Sequence, residues 1–448
     1  MKKIFILIFV LCCVRMLVAQ EFTAIKGRVT DQWLPQVKLY ETIDGVPVVC
    51  AVAKVESDGS FGFLVKPKKP GFYVLGEDEK MNFPVYVKGG EEINIELQEN
   101  KATLVGKNTK ENVQLYKWID YSYNIWFKGV FFNKIISTYE DFFPEYERFI
   151  EGLPAFKATL KSGNKIFDAL LKEWIDYSAD YYGIALLYTP RSKHPKASDY
   201  PAYYSQIVNP AKFTDEDVLA FPNGITMLRL YAIFAAAQKN INPADKVAYE
   251  QACLEALPSD RLKGEFVVDR FFSQYRTYEE YLDGMNKFGK YWLSPSLKAR
   301  AEAVGTKLYK TRAGGVAADF TYPDVNGKNV SLSDFKGKVV LIDVWATWCG
   351  PCKQEIPHLK KLEEEMEGTD VVFLGVSVDE ARFDFIAKEK LGGIQVFASG
   401  WSKITKDYRI NGIPRFIVID RKGNVVSFDA PRPSNPALKK MLETELKK

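Results

Sequence analysis

Histidine is almost absent from this chain, two in 448 residues, and that scarcity bears first on metals. A structural zinc site takes about four Cys or His ligands, usually as two pairs at defined spacing. Here one Cys-x-x-Cys stands without a second. His358 follows it on a helical stretch and reads as a partly exposed helix residue, while His194 sits among turn residues and reads as a solvated loop position. Zinc is disfavoured. Cysteine is scarce as well, six in all, too few for a disulfide framework to hold a chain of this size. No Lys/Arg tract appears, and a net charge of +4 (61 basic, 57 acidic) gives no reason to expect nucleic acid. After the N-terminus no apolar run approaches the eighteen or so residues of a membrane span, so the mature chain is expected to be soluble.

What is present begins at residue 1. Met1-Lys2-Lys3 is a basic start, Ile4 to Val14 is apolar, and Leu17-Val18-Ala19 precedes Gln20. That pattern predicts a signal peptide over 1–19, cleaved near Ala19, and export to the periplasm or cell envelope. Lipidation at Cys12 or Cys13 is the alternative. Of the cysteines that remain, Cys50 and Cys253 sit among apolar neighbours and read as small buried hydrophobes.

Three regions follow. Residues 20–105 alternate short apolar runs (24–30, 46–55, 62–65, 71–75, 85–87 and 93–97) with turn signals, which predicts an all-β, sandwich-like domain of six or seven strands. Residues 106–312 read as an all-α domain. One apolar face runs through Leu115, Ile119, Ser122, Trp126 and Val130, another through Ile166, Leu170, Trp174, Tyr177, Tyr181 and Ile184. The aromatic density there suits either a helical core or a peptide-binding groove, and a core is the commoner outcome. A hinge near Gly314-Gly315 opens the third region, 313–448. Strands at 339–345, 371–378, 416–419 and 425–428 alternate there with helices at 350–367, 380–390 and 436–446, an α/β layer pattern.

The chemistry lies in Trp345-Ala346-Thr347-Trp348-Cys349-Gly350-Pro351-Cys352. An apolar run, Val339 to Trp345, delivers the pair as a buried parallel strand would. A helical pattern with Ile356, Leu359 and Leu362 on one face follows it. Cys349 therefore stands at a helix N-terminus, where free N–H groups and the macrodipole favour a thiolate. Such cysteines are nucleophilic, so the pair reads as a redox site.

With these residues in view, 317–448 resembles a TlpA/ResA-type thioredoxin domain of exported thiol-disulfide oxidoreductases. Ala318-Asp319-Phe320, Asp324 to Lys328, Leu332 to Lys338, Trp345 to Cys352, Gly375 to Asp379 and Gly412-Ile413-Pro414 carry the likeness, over less than a third of the chain. The resemblance implies an α/β thioredoxin fold with Cys349 as the attacking thiolate and Cys352 as the buried resolving thiol. It implies that Pro414 is a cis proline beside the disulfide, with Ile413 and Trp348 facing substrate. Asp343 matches a buried carboxylate that moves the proton of Cys352, and Glu355 matches a glutamate that shares that task. The opening of the domain also resembles peroxiredoxins, but Ala346 stands where those carry Thr.

The expected activity is thus reduction of protein disulfides by a Cys-Gly-Pro-Cys dithiol, with no cofactor beyond that disulfide, no metal, and a membrane-associated electron donor. Two alternatives stand beside it. The same site could serve an oxidase or isomerase, or 20–312 could make this an envelope binding or scaffold protein with an accessory redox domain.

Overall fold

The computed structural model describes residues 21–30, 33–77, 83–131, 137–239, 241, 245–310, 312–379 and 383–448. The expected signal peptide, with Cys12, Cys13 and Ala19, lies outside them. The chain divides into two compact units, Met1–Asp269 and Arg270–Lys448.

Among the described residues of the first unit, eight strands come first: β1 (Thr23–Val29), β2 (Gln36–Ile43), β3 (Val46–Lys54), β4 (Ser60–Val65), β5 (Gly71–Gly76), β6 (Phe83–Val87), β7 (Glu92–Leu97) and β8 (Ala102–Leu104). They form two four-stranded sheets, ordered β4-β1-β7-β8 and β3-β2-β5-β6. Six strands follow the expected runs, and β2 and β8 are additional. The β2–β3 hairpin turns through Asp44-Gly45, at φ of 50° and 74°. Such two-residue loops at positive φ match the twist of the flanking strands. Cys50, expected to be buried, is exposed on β3, whereas Cys253 is buried as expected.

Among the described residues seven α-helices follow within this unit: α1 (Lys110–Val130), α2 (Tyr139–Thr159), α3 (Lys165–Tyr188), α4 (Tyr204–Ile207), α5 (Gly224–Ala237), α6 (Lys246–Glu255) and α7 (Asp260–Phe266). The helical region is present as expected, but 105/106 is not a boundary between separate cores. Phe72 of β5 meets Trp174 of α3 edge-on at 4.7 Å and lies against Phe167 and Phe221. Asn112 of α1 pairs with both backbone groups of Tyr86, its Oδ1 accepting and its Nδ2 donating, each at 2.8 Å. The α3 stripe holds in part: Trp174, Tyr181 and Ile184 are buried as expected. Its start differs: Ile166 is 71% exposed, and Phe167, Leu171, Ile175 and Ser178 are buried beyond the expected positions.

The second unit begins with helices α8 (Tyr278–Lys287) and α9 (Pro295–Tyr309), earlier than the expected break near 312. Arg276 ties this helical segment to the redox region through Asp429 at 3.0 Å. Nor is Gly314-Gly315 a free hinge. Gly314 N–H donates to the Val425 carbonyl and Val425 N–H to that of Gly315, both at 2.7 Å. A β9 (Thr321–Pro323)–β10 (Asn329–Ser331) hairpin precedes the main sheet. That sheet comprises β11 (Val339–Trp345), β12 (Val371–Ser377), β13 (Ile394–Phe397), β14 (Arg415–Ile419) and β15 (Val425–Ser427), ordered β13-β12-β11-β14-β15. Strands β11, β12 and β13 are parallel, and β14 runs antiparallel to β11. Its helices are α10 (Gly350–Glu365), α11 (Phe383–Glu389), α12 (Lys403–Asp407) and α13 (Pro436–Leu446). Both faces are covered. Val339, Leu341, Phe416 and Val418 pack with Leu362 of α10 and Leu438 and Leu442 of α13, while Ile342, Val344 and Ile417 pack on the other face with Ile404 of α12. This is the expected α/β thioredoxin fold at the C-terminal end of a multidomain chain.

Candidate active site

Strand β11 is central, flanked on both sides, and its Val, Leu and Ile side chains suit a position covered on both faces. Its C-terminal end hands the chain to Ala346-Thr347-Trp348, where Thr347 N–H donates to the carboxylate of the buried Asp379. Cys349 N–H donates to the Ala346 carbonyl at 3.1 Å, and Cys349 is then the N-cap of α10. A cap residue supplies an acceptor for the helix's unpaired N–H groups. Here the acceptor is sulfur: Cys352 N–H donates to Cys349 Sγ at 3.1 Å. The two cysteines form a disulfide, with their Cα atoms 5.3 Å apart.

The resemblance implies a buried Cys352. In this oxidised structure both cysteines are buried, 4% and 7% exposed. Trp348 is exposed, at 63%, as are Gly350 and Pro351 between the cysteines. The Ile413–Pro414 bond is cis and immediately precedes β14, whose first residue, Arg415, pairs with Val344. Because β14 is antiparallel to β11, its start lies at the end of the sheet that carries the disulfide. Ile413, Pro414 and Trp348 are thereby gathered at the Cys end.

Asp343 lies two residues before the end of β11, opposite Phe416 and Gly375 in the ladder. Alternation along the strand sets it on the face of Val339 and Leu341, beneath α10. Its Oδ1 is buried and has no hydrogen-bond partner among the described residues. Burial, then the carboxylates of Glu363 and Glu355, push its carboxyl up to about 8. A cavity of about 20 Å³ joins Asp343 to Cys352, walled also by Ile356, Lys360 and Glu363. That is enough for one water, which needs roughly 10–15 Å³.

Glu355 stands elsewhere. It is buried, and both its oxygens are taken by Ser434: the backbone N–H donates to Oε2 at 2.9 Å and the hydroxyl to Oε1 at 3.0 Å. It anchors the segment leading into α13. The second carboxylate at the Asp343 cavity is instead Glu363, itself shifted upward by burial against the opposing pull of Lys360. Sequence reasoning did not single out Glu363. Its signal was its position, one helical turn beyond Leu359 on the face that covers the strand. Gln395 of β13 completes this wall, accepting from Trp345 Nε1 at 3.2 Å.

Residues 312–442 match the Redoxin family model. The chain is 32% identical over 124 residues to the thiol-disulfide oxidoreductase ResA of Bacillus thuringiensis subsp. konkukian, covering 27% of this chain and 71% of the relative. It is 31% identical over 115 residues to ResA of Bacillus subtilis, covering 25% and 64%. Among solved structures it is similar to the thioredoxin domain of a thiol-disulfide oxidoreductase from Bacteroides vulgatus: 31% identity, 30% of this chain and 96% of that one, TM-score 0.27. The family match lies in the C-terminal third, where the disulfide is.

Proposed function

We propose, for a chain that belongs to the TlpA/ResA-like thioredoxin family of thiol-disulfide oxidoreductases, that it is exported and reduces disulfides in other proteins. The observation that carries the reading is the sulfur cap: Cys349 Sγ accepts the N–H of Cys352 at the start of α10. That bond, with the helix dipole, stabilises a negative sulfur, so in the reduced protein Cys349 is the thiolate.

The thiolate attacks one sulfur of a substrate disulfide. A Cys349–substrate bond forms, the substrate S–S bond breaks, and the other substrate sulfur leaves as thiolate. Cys352 then loses its proton to Asp343 and attacks Cys349 Sγ. The Cys349–Cys352 bond forms, and the substrate leaves with both electrons, fully reduced after it takes up protons. Asp343, held near 8 by burial, suits this transfer near neutral pH, because a proton carrier works best with its pKa close to the working pH. Trp348, Ile413 and Pro414 form the face against which a substrate segment lies. Glu355 serves as an anchor for Ser434. Renewal of the dithiol in an oxidising compartment requires an electron donor, for which a membrane-bound dithiol is the fitting class.

The test is insulin reduction in the presence of dithiothreitol, followed by turbidity. Wild type should accelerate precipitation, Cys349→Ser should abolish the effect, and Cys352→Ser should accumulate a mixed disulfide through Cys349. Acceleration that survives Cys349→Ser overturns the proposal.

A further inference from the structure

Protein interiors pack to a density near 0.74 and hold few voids larger than a water. Beside its packed core the first unit carries a larger, partly open space. Between α1, α3 and the β6 and β8 ends of its sheets lies a cavity of about 510 Å³. That volume falls within the roughly 300–1,000 Å³ of small-molecule sites. The apolar face of α1 recognised in the sequence is, over its later turns, a wall of this cavity rather than a filled core: Ile119, Ser122, Trp126 and Val130 all border it.

The lining defines what would fit. Tyr116, Trp118, Tyr123 and Trp126 come from α1, and Trp174 faces them from α3. Broad ring faces of this kind favour flat partners, offset-stacked or edge-on. Charge is nearly missing. Lys101 is the one charged residue that borders the cavity among the described residues, and it is already committed to Asp120 at 3.0 Å. Two residues of the lining, Tyr116 and Asn223, each carry a polar atom, the hydroxyl and Oδ1, that is buried behind the wall with no hydrogen-bond partner among the described residues. Such orphans are uncommon, and each costs the desolvation of its group until a partner arrives. Burial raises the Tyr116 hydroxyl well above its usual range, so it stays protonated and can donate, while Asn223 Oδ1 can only accept. A hydroxyl supplies both complements.

We propose that this cavity binds a flat, uncharged, mostly apolar ring compound carrying a hydroxyl group, set among the aromatic side chains of α1 and Trp174, with Tyr116 and Asn223 turning into the cavity to hydrogen-bond it. The site belongs to the first unit and is independent of the disulfide chemistry.

Calorimetric titration of the full chain with 2-naphthol tests it, with 2-naphthalenesulfonate and maltose as comparison ligands. One 2-naphthol should bind per chain, and the sulfonate should bind at least tenfold more weakly, since among the described residues no free cation lines the walls. Val130→Trp, which fills the cavity, should weaken 2-naphthol binding at least tenfold while insulin reduction stays at the wild-type rate. If Val130→Trp does not fold, Asn223→Leu carries the test. The Asn223 side chain makes no helix-cap bond, so its loss should spare the fold and weaken 2-naphthol severalfold. Absence of saturable 2-naphthol binding, binding unchanged in both variants, or saturable binding of maltose in its place overturns the proposal.

Discussion

Replacing Asp343 with Asn separates proton transfer from structure, because a buried acid makes the stability difference depend on pH and a purely structural residue leaves it flat. The unfolded reference for an aspartate is about 3.9, and burial raises the folded value to about 8. Ionisation therefore opposes folding. The penalty is absent below the unfolded value, grows by about 1.4 kcal/mol per pH unit between the two values, and levels off above the folded one. At pH 7 some three units have accumulated, about 4 kcal/mol. Asn escapes this penalty but brings an N–H pair into a site where Oδ1 already lacks a partner, an offset of about 1–3 kcal/mol. The net gain at pH 7 is then about 1–3 kcal/mol, worth about 2–12 °C in the melting temperature of a unit of this size. The sign should reverse in acid: near pH 4 the variant should be the less stable of the two, and the curves should cross as pH rises. Differential scanning calorimetry of the oxidised protein from pH 4 to 9 reads this directly. In parallel, quenched-flow measurement of mixed-disulfide resolution should show a slowing of about 10- to 100-fold, at or below the usual worth of one positioned acid–base group. A stability difference that stays flat with pH, together with an unchanged resolution rate, would refute both the buried-acid account and the proton-transfer role.

Four further outcomes follow from the same geometry. Glu363→Gln removes the neighbouring carboxylate that raises Asp343 most after burial itself, so the pH profile of resolution should move to lower pH, as read by stopped-flow at several pH values. Glu355→Ala should cost about 1–3 kcal/mol in urea unfolding, because Ser434 loses its acceptor, while the insulin-reduction rate stays within about twofold. In the reduced protein brief iodoacetamide treatment should label Cys349 before Cys352, by mass spectrometry, since the helix N-terminus stabilises its thiolate. A fragment ending at 269 should melt cooperatively, whereas one ending at 312 should add no cooperative helix, because α8 and α9 belong to the second unit.

The contrast between what could be read from residues and what could not follows the range of the interactions. The redox motif is local: a strand, a tight turn and a helix start lie within Val339–Glu365, so Cys349 and Cys352 were legible without any tertiary contact. Asp343 was legible because a carboxylate in a β run is costly and so demands a reason. The β2–β3 hairpin was also written locally, in Asp44-Gly45 between apolar runs, although the sequence reading passed over it. Other features are not local. Glu355 and Glu363 lie on the same helix, and nothing within α10 says that Ser434, 79 residues later, will occupy the first while the second meets Asp343. The exposure of Cys50 depends on β3 being the edge strand of its sheet, a property of strand order rather than of the surrounding valines.

The α1 face shows the same limit in a sharper form. Helical periodicity identifies which side chains point away from water, and Leu115, Ser122 and Trp126 do lie on such a face. Periodicity carries no information about volume. A stripe opposite well-fitting neighbours becomes a core, and the same stripe opposite neighbours that stop short becomes a pocket. In α1 both occur along one helix: Leu115 is sealed, while Trp126 and Val130 border 510 Å³ of space. An aromatic stripe in a sequence thus predicts burial by something, and only the facing surface determines whether that something is the chain itself or a ligand.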